Sequence, residues 1–279
     1  MRVFITGSKG QLGGAFVKRF AENGWDYAAA DVDTLDITDP DAVMDAVMAY
    51  RPGLIVNCSA YSLVDKAEAE KEKAFAVNAR GPRHLAFAAR RLEATFLQFS
   101  TDYVFDGAKA APYTEGDKPN PLNVYGLSKL KGEEYARQAG DSLIFRLSWL
   151  FGRGRQNFIH KLLEWAKKPG PLRISADEVS SPTCAEEVVT VTMEALKSGL
   201  RGTWHLANTG CCSRYDWAKL ILKERGIEKE LLPARMADFG LPARRPGYSA
   251  LSNAALAGEL GIKIPAWEEA VAKFMRETK

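Results

Sequence analysis

The sequence is short of the side chains that carry several common chemistries. Its 279 residues include four cysteines, Cys58, Cys184, Cys211 and Cys212. None has C-x-x-C spacing, and the neighbouring pair Cys211-Cys212 makes a poor disulfide framework. A reducing, cytoplasmic compartment is expected. The three histidines, His84, His160 and His205, stand far apart with no H-E-x-x-H pattern, so no metal is expected from them. No stretch of about 18 apolar residues occurs, so no membrane span is expected. No charged segment followed by a long apolar run precedes "RVFITG", so no signal peptide is expected. Neither sign of charge dominates. There are 38 basic and 35 acidic side chains, mixed along the chain, for a net charge of +3. Without a basic run or basic helix, nucleic acid is not an expected partner. A local positive potential for an anionic ligand stays compatible with that balance.

What is present is ample apolar material, 46% against 26% charged, which suits a soluble protein with a sizeable core. "RVFIT" is a short apolar run ending at Gly7 and reads as a buried strand. "QLGGAFVKRFAENG" has helical spacing at Leu12, Phe16, Val17 and Phe20, closed by Asn23-Gly24. "WDYAAAD" reads as a strand. "DPDAVMDAVMAYRP" reads as a helix with Asp39 as cap and Pro40 in the first turn. "GLIVNCSA" is a third strand. The long helix "AEKEKAFAVNARGPRHLAFAARRL" is expected to bend or break at Gly81-Pro82. "TFLQFST", "LSKLKGEEYARQ" and "SLIFRLSWLFG" continue as strand, helix and strand.

Such alternation predicts parallel strands with right-handed crossovers, an α/β doubly wound (Rossmann) sheet. "AEEVVTVTMEALKSG" and "GTWHLA" read as one more helix and strand returning to it. The expected division is residues 1–148 with about 186–208 as the dinucleotide-binding domain, and 149–185 with 209–279 as a smaller C-terminal lobe that binds substrate. Pro, Gly and Arg are frequent in that second part, as in "LPARMADFGLPARRPGYS".

"FITGSKGQLGGAF" spaces Gly7, Gly10 and Gly13 as G-x-x-G-x-x-G where the first strand turns into the first helix. Glycines let the backbone turn tightly and let a pyrophosphate approach the helix N-terminus. Lys9, Gln11 and Leu12 belong to the same loop. Asp31 ends the second strand, 18 residues after Gly13, where an acid accepts from the adenosine ribose and favours NAD. Lys9 would instead neutralise a 2′-phosphate and favour NADP. The two signals conflict. NADPH is the cofactor expected, with NADH as the alternative.

"NVYGLSK" sets Tyr125 and Lys129 on one helical face. A free tyrosine has a pKa of about 10. A nearby ammonium favours phenolate and brings that value down. Tyr125 would then trade a proton with a carbonyl or alcohol. "FSTDYVFDG" places Ser100 and Thr101 at a strand's C-terminal end, where a hydroxyl can donate to a developing oxyanion.

With these motifs the chain resembles the extended short-chain dehydrogenase/reductases and, among them, the dTDP-4-dehydrorhamnose reductases. "TGSKGQLG", "LDITD", "PGLIVNCSAYSLVDKAEAEKEKAFAVNA", "STDYVFDGAKAAPYTEGDKPNPLNVYGLSKLKGEE", "FRLSWLFGRGRQNF", "EVSSPTCAEEV", "GTWHLANTG" and "PARRPGYSALSNAAL" carry the resemblance from the first strand nearly to the C-terminus. It implies hydride transfer from NAD(P)H to the 4-keto carbon of dTDP-4-dehydro-L-rhamnose, with a dTDP-sugar as the substrate partner. It also implies roles. Thr101, Tyr125 and Lys129 fall on the catalytic Thr, Tyr and Lys, with Lys129 also on the nicotinamide ribose. Asp36 and Ile37 fall where the family flanks adenine. Ala60 and Tyr61 fall beside the cofactor's ribose and phosphates, and Asn78 falls near the cofactor site. Val64, Asp102, Tyr103 and Trp149 fall near the sugar, and Arg244 near the diphosphate. Some members carry an acid after the glycine loop that helps bind an intersubunit metal. Gly14-Ala15 stand there instead, so no metal is expected, and a monomer or a homodimer both fit.

Two other readings use the same residues. An epimerase or dehydratase would act on another nucleotide sugar, but a dehydratase needs an added acid–base pair and no Glu follows Asp102. A non-catalytic dinucleotide-binding regulatory subunit would not need Thr101, Tyr125 and Lys129.

Overall fold

The computed structural model describes residues 2–154 and 157–278. Arg155 and Gln156, within "FRLSWLFGRGRQNF", lie outside the described residues. The first half alternates strand and helix: β1 (Val3–Thr6), α1 (Gln11–Glu22), β2 (Tyr27–Ala30), α2 (Pro40–Tyr50), β3 (Leu54–Asn57), α3 (Val64–Ala69), α4 (Lys71–Phe75), α5 (Gly81–Arg91), β4 (Thr95–Thr101), α6 (Val124–Ala136) and β5 (Ser142–Leu147). The second half holds β6 (Leu150–Phe151), α7 (Phe158–Ala166), β7 (Leu172–Ser175), β8 (Val179–Ser180), β9 (Thr183–Cys184), α8 (Ala185–Lys197), β10 (Gly202–His205), β11 (Cys212–Ser213), α9 (Arg214–Glu224), β12 (Leu231–Ala234), α10 (Ala254–Leu260) and α11 (Trp267–Glu277).

Six strands form one parallel sheet in the order β10-β5-β4-β3-β1-β2. Every residue of β1, β3 and β5 is buried, as a sheet covered on both faces requires. Phe16 and Phe20 of α1 and Val188 and Val189 of α8 cover one face. Val43 and Val47 of α2, Leu85 and Ala89 of α5 and Ala136 of α6 cover the other. Burying such side chains is worth about 1.5–3 kcal/mol each, the main force closing these layers. The returning helix and strand behave as the sequence predicts. Helix α8 packs against α1, and β10 adds to the sheet beside β5. Asp39 caps α2 by accepting from the Asp41 and Ala42 N–H groups, with Pro40 in the first turn. A third apolar cluster, with Phe151, Trp217, Val271 and Phe274, joins β6, α9 and α11.

One local expectation takes a particular form and one needs correction. The α-helical run through Gly81-Pro82 is interrupted by a π turn at Ala76–Arg80, which leads directly into α5 with Pro82 in its first turn and Gly81 helical at φ −54°. Pro82 has no N–H to carry the hydrogen-bond ladder across this junction. Gly81 is small because a Cβ there would lie 2.5 Å from Ile37 Cδ1. "SLIFRLSWLFG" does not run as one strand. It leaves the sheet after Leu147, turns at Trp149 with φ +38°, and continues as β6 against β9. That left-handed backbone is uncommon for a bulky residue and marks the passage from the sheet to the second half of the chain.

Strand order reverses between β1 and β3, so the loops after these strands diverge. The crevice at their C-terminal ends is where open α/β sheets take ligands.

Candidate active site

The glycine loop follows β1 into this crevice. Gly7 has φ +67°, and a Cβ there would lie 2.5 Å from the Ser59 main-chain nitrogen. A Cβ at Gly13 would lie 2.0 Å from the Gly7 carbonyl oxygen. The loop is therefore closed tightly on itself and on the turn after β3. Gly10 is the N-cap of α1 and carries no side-chain cap, leaving the first N–H groups of the helix to meet an anion. The Lys9 N–H donates to Asp31 Oδ2 at 2.7 Å, fastening the loop to the end of β2.

A cleft of about 640 Å³ opens above this loop. Lys9, Gly10, Gln11, Leu12, Ala60 and Trp149 line it, as do Thr101, Asp102, Tyr125 and Lys129. Sequence positions 9 to 154 thus meet at one end of the sheet. Asn123 starts α6 by accepting from the Gly126 N–H at 2.8 Å, which sets Tyr125 and Lys129 in its first two turns. A Cβ at Gly126 would lie 2.1 Å from the Tyr103 carbonyl oxygen, so a glycine lets α6 press against the turn after β4. Thr101 ends β4. Its hydroxyl donates to Asp102 Oδ1 at 3.0 Å and accepts from the Tyr103 N–H at 3.2 Å. The Tyr125 phenol stands beside it, and the Thr101 hydroxyl acts to lower the phenol's pKa.

The electrostatics of the pair run against one sequence expectation. Lys129 does not bring the Tyr125 phenol down in the ligand-free chain. Burial pushes that phenol up to about 12, the Thr101 hydrogen bond opposes the rise, and the Asp102 charge adds to it. The Lys129 ammonium is directed elsewhere, donating to the Phe99 carbonyl at 2.6 Å. Burial lowers its own pKa to about 8, while Glu133 and Cys58 oppose that fall. The cluster holds a loaded proton donor beside a lysine that titrates near neutrality.

Behind the cleft, Glu133 is fully buried and ion-paired to Arg146 through Nε at 2.9 Å and Nη2 at 2.8 Å. It also accepts from Ser100 Oγ at 2.6 Å. Ser100 is thereby used in holding β4 to α6. Asp102 is buried and accepts from Ser180 Oγ at 3.0 Å and from Ser249 Oγ. Burial raises its pKa to about 6, the three hydroxyl contacts oppose that, and the nearby Glu178 charge reinforces it.

Trp149 forms the wall between this cleft and a second cavity of about 490 Å³. The Arg214 guanidinium lies 3.6 Å above the Trp149 ring centroid, and Trp149 stacks on Trp217 at 5.6 Å. The indole Nε1 of Trp149 is buried without a hydrogen-bond partner. Buried Glu178 accepts from the Tyr103 hydroxyl at 3.1 Å and pairs with Arg214 at 3.5 Å. Lys161, Arg173 and Arg245 add positive charge to the lining, and Phe158, Trp165 and Phe239 add aromatic surface.

Several expected site residues lie apart from the cavity linings. Ile37 is buried against Gly81. Exposed Asp36 accepts from the Thr38 N–H. Asn78 is buried and spends its amide on the Tyr61 main chain, at 2.8 and 3.0 Å, and on Ser128 Oγ at 3.0 Å. It tethers the turn after β3, including Tyr61, to α6. Val64 opens α3 and is partly covered. Arg245 lines the second cavity where Arg244 was expected. The Arg244 side chain is exposed, and its carbonyl accepts from Asn123 Nδ2 at 2.8 Å. Sequence reasoning missed Glu178, Arg214 and Lys161, which carry no motif. The pairing of alternate charges with aromatics around "SRYDW" is the one signal available for Arg214.

Comparison with known proteins agrees with this geometry. The model of the family described as "RmlD substrate binding domain" matches residues 1–279. The spore coat polysaccharide biosynthesis protein SpsK of Bacillus subtilis is 35% identical, covering 99% of this chain and 97% of that protein. A dTDP-4-dehydrorhamnose reductase of Burkholderia thailandensis is 34% identical over 99% of each chain. The crystal structure of dTDP-4-dehydrorhamnose reductase from Bacillus anthracis in complex with NADP has a TM-score of 0.96 at 35% identity, covering 99% of each chain. With a Rossmann sheet, a glycine cradle and a Thr-Tyr-Lys cluster on one cleft, and a match along its whole length, this chain belongs to the RmlD substrate-binding family.

Proposed function

We propose that this chain reduces the 4-keto group of dTDP-4-dehydro-L-rhamnose to give dTDP-L-rhamnose, using NADPH, with NADH as an alternative. One observation carries the reading. The Thr101, Tyr125 and Lys129 side chains line the glycine-loop cleft, and that cleft shares Trp149 and Leu150 with a cationic, aromatic-lined cavity. The first cleft, lined by Gly10, Gln11, Leu12 and Lys129, would hold the reduced nicotinamide cofactor, which would supply the hydride for the sugar carbon. The protein's work lies around that transfer. Thr101 Oγ1 turns its proton from Asp102 to the carbonyl oxygen and holds it as it gains charge. Tyr125, protonated at neutral pH, gives its proton to the new alkoxide. Lys129 has to leave part of its bond to the Phe99 carbonyl to stabilise the resulting phenolate and hold the nicotinamide ribose. The loop from Gly7 to Gly13, with Gln11, Leu12 and Ala60, seats the pyrophosphate and ribose.

In the second cavity, Arg214 and Arg245 suit a diphosphate, because a planar guanidinium matches phosphate oxygens. Trp149, whose Nε1 has no hydrogen-bond partner among the described residues, and Glu178, which accepts from Tyr103, stand in the wall of this cavity, where the sugar would bridge to the first. We assign 1–148 with 186–208 to cofactor binding and 149–185 with 209–279 to sugar-nucleotide binding. The four free cysteines fit a reducing cytoplasm, and among the described residues no helix is long and apolar enough to cross a membrane.

The test is to mix purified protein with dTDP-4-dehydro-L-rhamnose and either reduced cofactor. Loss of reduced-nicotinamide absorbance, matched mole for mole by dTDP-L-rhamnose, is expected. Cofactor binding without consumption would refute the assignment.

A further inference from the structure

Helix α6 is tied to β4 at two points one helical turn apart. Lys129 Nζ donates to the Phe99 carbonyl at 2.6 Å, and Glu133 accepts from Ser100 Oγ at 2.6 Å. Glu133 lies four residues beyond Lys129, on the same helical face. Ser100 directly precedes Thr101 on β4. One buried carboxylate therefore joins the helix that carries Tyr125 and Lys129 to the strand that carries Thr101.

The anchor is built across the sheet. Ser100, Arg146 and His205 are register partners on the neighbouring strands β4, β5 and β10. Arg146 grips Glu133 with two nitrogens, and Arg137 donates to Glu133 Oε2 at 3.0 Å. His205 Nδ1 lies 3.0 Å from the Tyr113 carbonyl and so donates there, leaving Nε2 to accept from Arg146 Nη1 at 3.4 Å. Burial lowers the His205 pKa to about 4, so this row keeps its protons in place through neutral pH. A buried ion pair adds little net stability over an apolar pair of the same shape, but its bonds are satisfied in one register only.

The groups around Lys129 are Tyr125 and Glu133 on its own helix, Cys58 after β3, Asp102 after β4, and Arg146 on β5 beyond Glu133. Glu68 of α3 is spent on the Val124 N–H at the start of α6. Burial keeps Tyr125 and Cys58 protonated near neutrality. Of these groups Glu133 does most to hold Lys129 as an ammonium.

We propose that Glu133 is a positioning residue for the reduction: it locks α6 to β4 and β5 so that Tyr125 and Lys129 meet Thr101, and its charge, one turn from Lys129, favours the ammonium. This rests on the reduction reading of the cleft, in which Lys129 gives up part of its tether to Phe99. The Glu133 tether then keeps the helix in register.

The test compares kcat, its pH profile and NADPH affinity in two variants and a control, with 15N-lysine NMR of the ligand-free chain following the Lys129 titration. Ser100→Ala cuts the carboxylate from β4 and should lower kcat about tenfold with the basic limb in place. Glu133→Gln/Arg146→Met removes both charges together, so neither is left buried and unpaired. It should lower kcat about 10–100-fold and move the basic limb and the Lys129 titration about one unit to lower pH. NADPH affinity should change less than about threefold in both. Val47→Ala weakens the core under α2, away from this network, and should leave kcat and the limb as in wild type.

Losses of kcat no larger than in Val47→Ala, or a limb that stays in place in the double variant, overturn the proposal. Ser100→Ala removes a single hydroxyl and carries the test alone if the double variant does not fold. If the wild-type chain oxidises neither reduced cofactor, the reduction reading itself falls, and the 15N signal of Lys129 still decides whether Glu133 holds its charge.

Discussion

Replacing Tyr125 by Phe removes one hydroxyl and leaves the ring. The hydroxyl lines the cleft beside Thr101, so the stability loss should be no more than about 1 kcal/mol. The catalytic loss should be far larger. In the ligand-free chain the phenol titrates near 12, so at neutral pH the proton is in place on essentially every molecule. That proton is held more tightly than in free tyrosine, mainly through the burial of the phenol in the cleft wall. A cation brought against the phenolate there acts strongly, and Lys129 is the cation on the same helical face. A positioned acid of this kind contributes about 10²–10⁴-fold, or roughly 3–5 kcal/mol of barrier. Steady-state kinetics should therefore show Tyr125→Phe losing about 10²–10⁴ in kcat. Cofactor affinity, read by fluorescence titration, should stay within about twofold of wild type. A variant with near wild-type kcat would refute the proton-donor role. Equal loss of kcat and of cofactor binding would mean that the ring hydroxyl builds the cleft and does not serve as its acid.

Lys129 gives a pH signature. Its pKa near 8 makes kcat fall as pH rises through that value, since the neutral amine no longer stabilises phenolate, and Lys129→Met should remove that limb along with most activity. Arg214→Met should raise KM for the sugar nucleotide by about 10–100-fold, the worth of a charge-assisted contact, and leave cofactor binding unchanged in titrations. Asp102 has a folded-state pKa near 6, above the ordinary 3.8. Stability that favours its protonated form is full below the ordinary value and is lost as pH rises through about 6. Denaturant midpoints of Asp102→Asn should accordingly flatten between pH 4 and pH 6 relative to wild type, by up to roughly 3 kcal/mol in stability. Glu133→Gln leaves Arg146 buried and unpaired, and should cost about 3–5 kcal/mol in chemical denaturation.

Much of the sheet was legible because its signals are local. Apolar runs of four to seven residues between helical periods mark strands, and a glycine spacing at the first strand–helix junction marks the cradle. The helix cap at Asp39 and the return of β10 follow from the same rules. At Gly81-Pro82 the sequence marked an interruption, and the π turn at Ala76–Arg80 that forms it has no signature of its own. Trp149 misled because a tryptophan at φ +38° is set by tertiary packing between Trp217 and Arg214, against its own preference. The first cleft gathers residues of short motifs, so Thr101, Tyr125 and Lys129 are legible as a group and line it together. The second cavity draws on residues near positions 161, 173, 214 and 245, which no spacing rule connects. Arg244 and Arg245 are adjacent and chemically alike. Only the bidentate contact of Arg245 with Asp65, at 3.0 and 2.7 Å, decides which one faces inward.

Isotope transfer tests the central claim most directly. The protein would be supplied with dTDP-4-dehydro-L-rhamnose and NADPH deuterated at the transferable position, and the product examined by NMR. Deuterium at C4 of dTDP-L-rhamnose, formed at a rate that Tyr125→Phe cuts by about 10²-fold or more, is the predicted result. Oxidised cofactor with no label at that carbon, or label arriving equally fast in the variant, would contradict it.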